Sequence, residues 1–185
     1  MRAEDFYFID ENLQESPKDR ALVQDRVAEL NALLVDEDNS KNKIRVLGEL
    51  AFLHRILGEF VSAEKALSNV AEILDHENHE TRYQIVNEIR VATLRQWQSR
   101  FDEADEIFQR VCDLCSIHSQ YEDLLDFCLQ HQGKNYFDQE KYNSSIECFE
   151  KALQLRIVKN DPELIQSTQF ALSVARRRSK GGSVK

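Results

Sequence analysis

A chain of 185 residues with five glycines and two prolines is short of turn residues, since ordinary usage would supply about 13 Gly and 9 Pro. A sheet-rich fold, a collagen-like chain and a low-complexity chain are all excluded on that ground, which leaves an all-helical domain or one short array. Lys and Arg number 24 against 33 Asp and Glu, a net charge of −9, which argues against a general nucleic-acid or anionic-membrane surface.

Residues 1–15 form an acidic arm carrying four large apolar residues in a row, Phe6, Tyr7, Phe8 and Ile9. They are expected to pin the terminus onto the chain itself, with contact to a neighbouring copy as the other reading. No charged-then-apolar leader pattern opens the chain, and no run approaches 18 apolar residues. Together with four cysteines and no secretory signal, this places the protein in the cytoplasm as an expectation.

Ser16-Pro17-Lys18-Asp19 reads as a helix start, with Ser16 as N-cap and Pro17 at the first helical position. The stripe Leu22, Val23, Val27, Leu30, Leu33 and Leu34 makes residues 16–40 a capping helix and loop.

From residue 41 onward the chain repeats. Displaced by 41 residues, three segments superpose in five size-matched columns. These are small (Ala51, Ala92, Gly133), aromatic (Phe60, Phe101, Tyr142), small (Ala63, Ala104, Ser145), large apolar (Leu67, Phe108, Phe149) and medium apolar (Val70, Val111, Ala152). A small residue on one helix lets its partner approach closely, and the next columns share one helical face. Such a pair cannot bury its apolar face alone, so neighbouring pairs must stack.

This pattern resembles the tetratricopeptide repeat, with copies at 41–78, 79–119 and 120–160 and the third copy closest. The period of about 41 exceeds the family's usual 34, and Asp75, Ser116 and Ile157 stand where each repeat normally closes on proline. Long-helix members, such as those of kinesin light chains and bacterial peptide sensors, are the most similar. The resemblance implies an all-α, right-handed superhelix of three helix pairs with terminal capping helices. Asp161-Pro162-Glu163 opens the last cap, at 161–178, and a basic flexible tail is expected at 179–185.

Chemistry has few places to reside. Cys112-x2-Cys115 and, after twelve residues, Cys128-x2-His131 have the spacing of a zinc site. The repeat alignment puts Cys112 in a core column instead, and neither cysteine pair encloses a glycine, so buried thiols between packed helices are the simpler reading. His76-Glu-Asn-His79-Glu80 lacks two histidines four apart and falls where a loop is expected. No phosphate-cradling glycine motif is present. The chain is therefore expected not to be an enzyme and to need no cofactor.

Recognition remains. In the family that the chain resembles, first helices line a concave groove. The matching positions are Arg45 and Phe52 in the first copy, Arg90 and Trp97 in the second, and His131 and Lys134 in the third. Four cationic or titratable groups with two aromatic anchors would suit an acidic or C-terminal peptide. The same groups would equally serve as a solvated helix face. Family members that clamp a peptide carboxylate use asparagines, and Glu49, Arg90, His131, Phe52, Thr93 and Lys134 stand there instead. The expected function is a non-catalytic adaptor that binds a protein segment, as a monomer or weak homodimer. The alternatives are a self-associating structural module and a zinc-stabilised helical module.

Overall fold

The computed structural model describes residues 6–77 and 81–181. It is all-helical apart from one small hairpin, with eight α-helices among the described residues. Two compact units divide the chain, Met1–Asp10 with Gln14–Gln98 and Glu11–Leu13 with Ser99–Lys185. The division falls inside the segment read as the second repeat.

In the first unit, β1 (Tyr7–Ile9) pairs antiparallel with β2 (Glu15–Pro17), Phe8 facing Ser16. Ser16 and Pro17 thus belong to a strand, and Asp19 caps α1 (Arg20–Val35), accepting from the Ala21 and Leu22 amides at 2.8 and 3.4 Å. The expected Ser16 cap is displaced because Ser16 and Pro17 pair with Phe8 and Tyr7 in the hairpin, so the helix starts three residues later on Asp19. Val23 and Leu30 are fully buried, whereas Leu33 points outward at 56% exposure. Of the aromatic arm, Phe6 is buried and Tyr7 packs on the same core, whereas Phe8 is 49% exposed.

Next come α2 (Ser40–Ile56), α3 (Phe60–Glu77) and α4 (Thr81–Trp97), each packed on its predecessor. His76 lies in the last turn of α3 rather than in a loop, and His79 and Glu80 lie outside the described residues. Between α2 and α3 the chain turns on Gly58 at φ +79°, with Gly58 N–H bonded to Arg55 O at 3.0 Å and Glu59 N–H to His54 O at 2.8 Å. This paired bonding closes a helix through one left-handed residue.

The second unit holds α5 (Phe101–Ile117), a 3-10 turn (Ser119–Leu124), α6 (Leu125–Asp138), α7 (Tyr142–Lys159) and α8 (Pro162–Gly181). Within this unit α6 packs on α5, α7 on α6 and α8 on α7. Its left-handed turn residues include Ser99 and Glu140, at φ +58°. Gly58, Ser99 and Glu140 are 41 apart, so the sequence period recurs in the backbone. At Glu140 the bonding repeats that at Gly58, Glu140 N–H to Phe137 O and Lys141 N–H to Tyr136 O.

All fifteen column residues are buried or half-buried, with the aromatic column half-buried in every copy. Gly133 explains the first small column: a Cβ there would meet the Phe149 ring at 2.6 Å. Ser145 Oγ donates to Gly133 O at 2.8 Å, fixing α7 against α6. Asp161 caps α8 through the Leu164 amide, as the sequence predicts. The helix continues through Gly181, past the expected boundary at residue 178, and residues 182–185 lie outside the described residues.

Candidate recognition face

Lys41, Arg45, Gly48, Phe52 and Arg55 follow one another on α2 at steps of four and three, which aligns them on one face. Three contacts join this stripe to α4. Lys41 Nζ lies 6.0 Å from the Tyr83 ring centre, Gly48 abuts the Arg90 guanidinium, and Arg55 Cζ lies 4.6 Å from the Trp97 ring centre. Each contact joins residues 42 apart, so the two helices run parallel in constant register.

The face has a closed end and an open end. At the closed end the Arg55 guanidinium sits between Phe52 and Trp97, and its Nη1 donates to Glu15 Oε2 of β2 at 3.0 Å. Tyr7 of β1 stacks edge-on against Phe52, with ring centres 5.1 Å apart. Phe52 and Trp97, expected as free apolar anchors, are thus engaged by their own chain. Cation–π contact and a buried carboxylate hold the hairpin there.

At the open end the cations are unmatched. Arg45 is exposed and Arg90 half-buried, and neither makes a hydrogen bond or ion pair among the described residues. Burial holds the Arg90 guanidinium below its ordinary pKa, with no neighbouring carboxylate to offset it. Glu49, the residue after Gly48, is bonded to Arg26 Nε of α1 at 2.9 Å. Gly48 gives Arg90 its place, because a methyl group there would overlap the guanidinium. Gly48 went unnoticed in the sequence, although a lone glycine inside a helix is a sign of close approach.

The third-copy candidates lie in the second unit. His131 is half-buried, edge-on to Phe127 with centres 4.6 Å apart. Lys134 is buried at 7% exposure, which removes it from an accessible groove. Nearby, Asp126 receives Arg156 Nε at 2.9 Å and is also bonded by Lys159. Arg156 Nη1 further donates to Gln130 Oε1, Leu164 O and Thr168 Oγ1, tying α6, α7 and α8 together.

The zinc alternative is not assembled. Cys112 and Cys128 form a disulfide between α5 and α6, with Cα atoms 5.8 Å apart, while Cys115 and Cys148 are free and buried. Among the described residues no three His, Cys, Asp or Glu side chains gather around a metal position. Cys112 is buried as expected, but as half of a cross-link rather than as a separate thiol.

Between α3 and α4 lies a cleft of about 160 Å³, lined by Glu64, Leu67, Asn87, Val91 and Arg95 among others. Arg95 Nη2 bonds Glu64 Oε1 at 2.7 Å, and Asn87 Nδ2 bonds Leu67 O at 3.3 Å. No described helix is long and apolar enough to cross a membrane. No protein-family model matches the chain, and no curated protein or solved structure matches it.

Proposed function

We propose that the protein is a non-catalytic interaction module of the tetratricopeptide type, an adaptor that binds an acidic protein segment along the α2–α4 face. The observation that carries this reading is Arg90. A half-buried guanidinium without a carboxylate is partly stripped of water, and an incoming acid would offset that cost. Arg45, exposed one turn away on the same side, adds a steering charge to an otherwise acidic molecule. The parallel register of α2 and α4, and the 41-residue recurrence of the left-handed turns, support the superhelical reading.

An array of diverse short peptides, probed with the wild-type protein and with an Arg45→Glu/Arg90→Glu variant, tests the proposal. Capture is expected on acidic sequences and lost in the variant. An identical pattern for both proteins, or capture indifferent to peptide charge, would contradict it.

A further inference from the structure

We infer that Cys112 and Cys128 are a reversible redox pair, a clasp that fastens α5 to α6 when oxidised and frees α5 when a dithiol reduces it. The same junction occurs without a cross-link in the first unit. Leu67, Ala71 and Asn87 stand 41 residues before Phe108, Cys112 and Cys128. Between α3 and α4, Asn87 Nδ2 donates to Leu67 O at 3.3 Å, and Ala71 can form no covalent tie. Between α5 and α6, Cys128 Sγ lies 3.6 Å from Phe108 O, in the geometry of a donor. A disulfide sulfur carries no hydrogen, so that bond belongs to the thiol. The junction therefore suits both states: a covalent tie to Cys112 when oxidised, and a hydrogen bond in the register of Asn87 when reduced.

Burial sets the direction of the exchange. Cys112 is 7% exposed and Cys128 is fully covered, so a reagent thiolate attacks the Cys112 sulfur. The Cys112–Cys128 bond breaks, and Cys128 leaves as a thiolate that takes a proton. The second thiol of the reagent then displaces Cys112. The protein gains two electrons and two protons, and the dithiol leaves as its own disulfide. Burial pushes the Cys148 thiol up to about 11, which keeps it protonated and out of the exchange. On the far side of the clasp, Arg156 of α7 bonds Asp126 of α6 and faces Thr168 of α8. Those three helices stay together on reduction, and α5 is the part released.

The test treats the full-length protein with dithiothreitol under native conditions and counts thiols by alkylation and mass spectrometry. Hydrogen exchange of oxidised and reduced samples is compared, with circular dichroism alongside. Reduction is expected to keep the helical signal and to raise exchange in α5 at least about tenfold, with α6–α8 little changed. Adding the oxidised form of the dithiol, in excess after the reductant is removed, should restore the slow exchange. Cys112→Ala/Cys128→Asn reproduces the residues of the first junction. It should exchange like the reduced protein and ignore the reductant. A cross-link that yields only after denaturation would overturn the pair as a redox site. Loss of the helical signal on reduction, in a double variant that likewise fails to fold, would make the bond a structural staple and overturn the clasp. Equal exchange of α5 in both states would also overturn it.

Discussion

Arg55 Nη1 donates to Glu15 Oε2 across 3.0 Å, and both side chains are more than nine-tenths buried. The pair joins β2 to α2 under the cover of Phe52 and Trp97. Removing one member of such a pair leaves the other charged and unsolvated. Glu15→Ala is expected to destabilise the first unit by about 3 kcal/mol in chemical denaturation. It should also change the fluorescence of Trp97, the chain's only tryptophan. An unchanged midpoint would show that the Glu15–Arg55 pair adds nothing to the packing of Phe6 and Tyr7.

Asp126 is the single carboxylate that receives both Arg156 and Lys159, and it is 2% exposed. Asp126→Asn should cost the second unit about 3–5 kcal/mol, because the buried Arg156 loses its counter-charge. Thermal unfolding monitored by circular dichroism measures this. A loss below about 0.5 kcal/mol, the size of a surface substitution, would mean that the three-helix junction is held by packing alone.

The repeat makes two opposed predictions. Glu140 holds φ +58° at a position where the first copy has Gly58. Glu140→Gly should therefore stabilise the protein by roughly 0.5–1 kcal/mol, since a side chain is strained in the left-handed region. Gly133→Ala should instead cost about 1–3 kcal/mol, as Phe149 must leave its place against α6. Denaturation midpoints of the two variants should move in opposite directions.

The Cys112–Cys128 cross-link closes a loop of sequence separation 16, worth about 3 kcal/mol by chain entropy. Unfolding without reductant should expose two titratable thiols, Cys115 and Cys148, and four after reduction. Burial pushes the Cys148 thiol up to about 11, so in the native protein at pH 8 it stays protonated and reacts slowly. A thiol raised in the folded state stabilises fully below its unfolded pKa near 9. That contribution fades as pH rises toward 11. Four thiols without reductant would rule out the cross-link.

Much of the architecture is legible because it follows from side-chain size at fixed spacing. Ala51, Ala92 and Gly133, and then Leu67, Phe108 and Phe149, sit in the core where their recurrence places them. The misreadings share a physical origin. Ser16 resembles a helix cap, yet it pairs with Phe8 of the preceding segment and a strand forms. Phe52 and Trp97 look like free anchors only while the hairpin partners Tyr7 and Glu15, far away in sequence, are unknown. Lys134 has a groove position by column but lies buried. Likewise, the repeat alignment puts Cys112 in a core column but does not show that it faces Cys128. The unmatched state of Arg90 depends on what three helices do not bring to it, which no local pattern encodes.

The most direct test of the central claim is the unfolding free energy of Arg90→Met in the full chain without partner. If Arg90 is kept for a partner's carboxylate, removing its uncompensated charge leaves the free protein as stable or up to about 1 kcal/mol more stable. A loss of 2 kcal/mol or more, on the order of a buried core truncation, would show that Arg90 serves the fold and would contradict the recognition face.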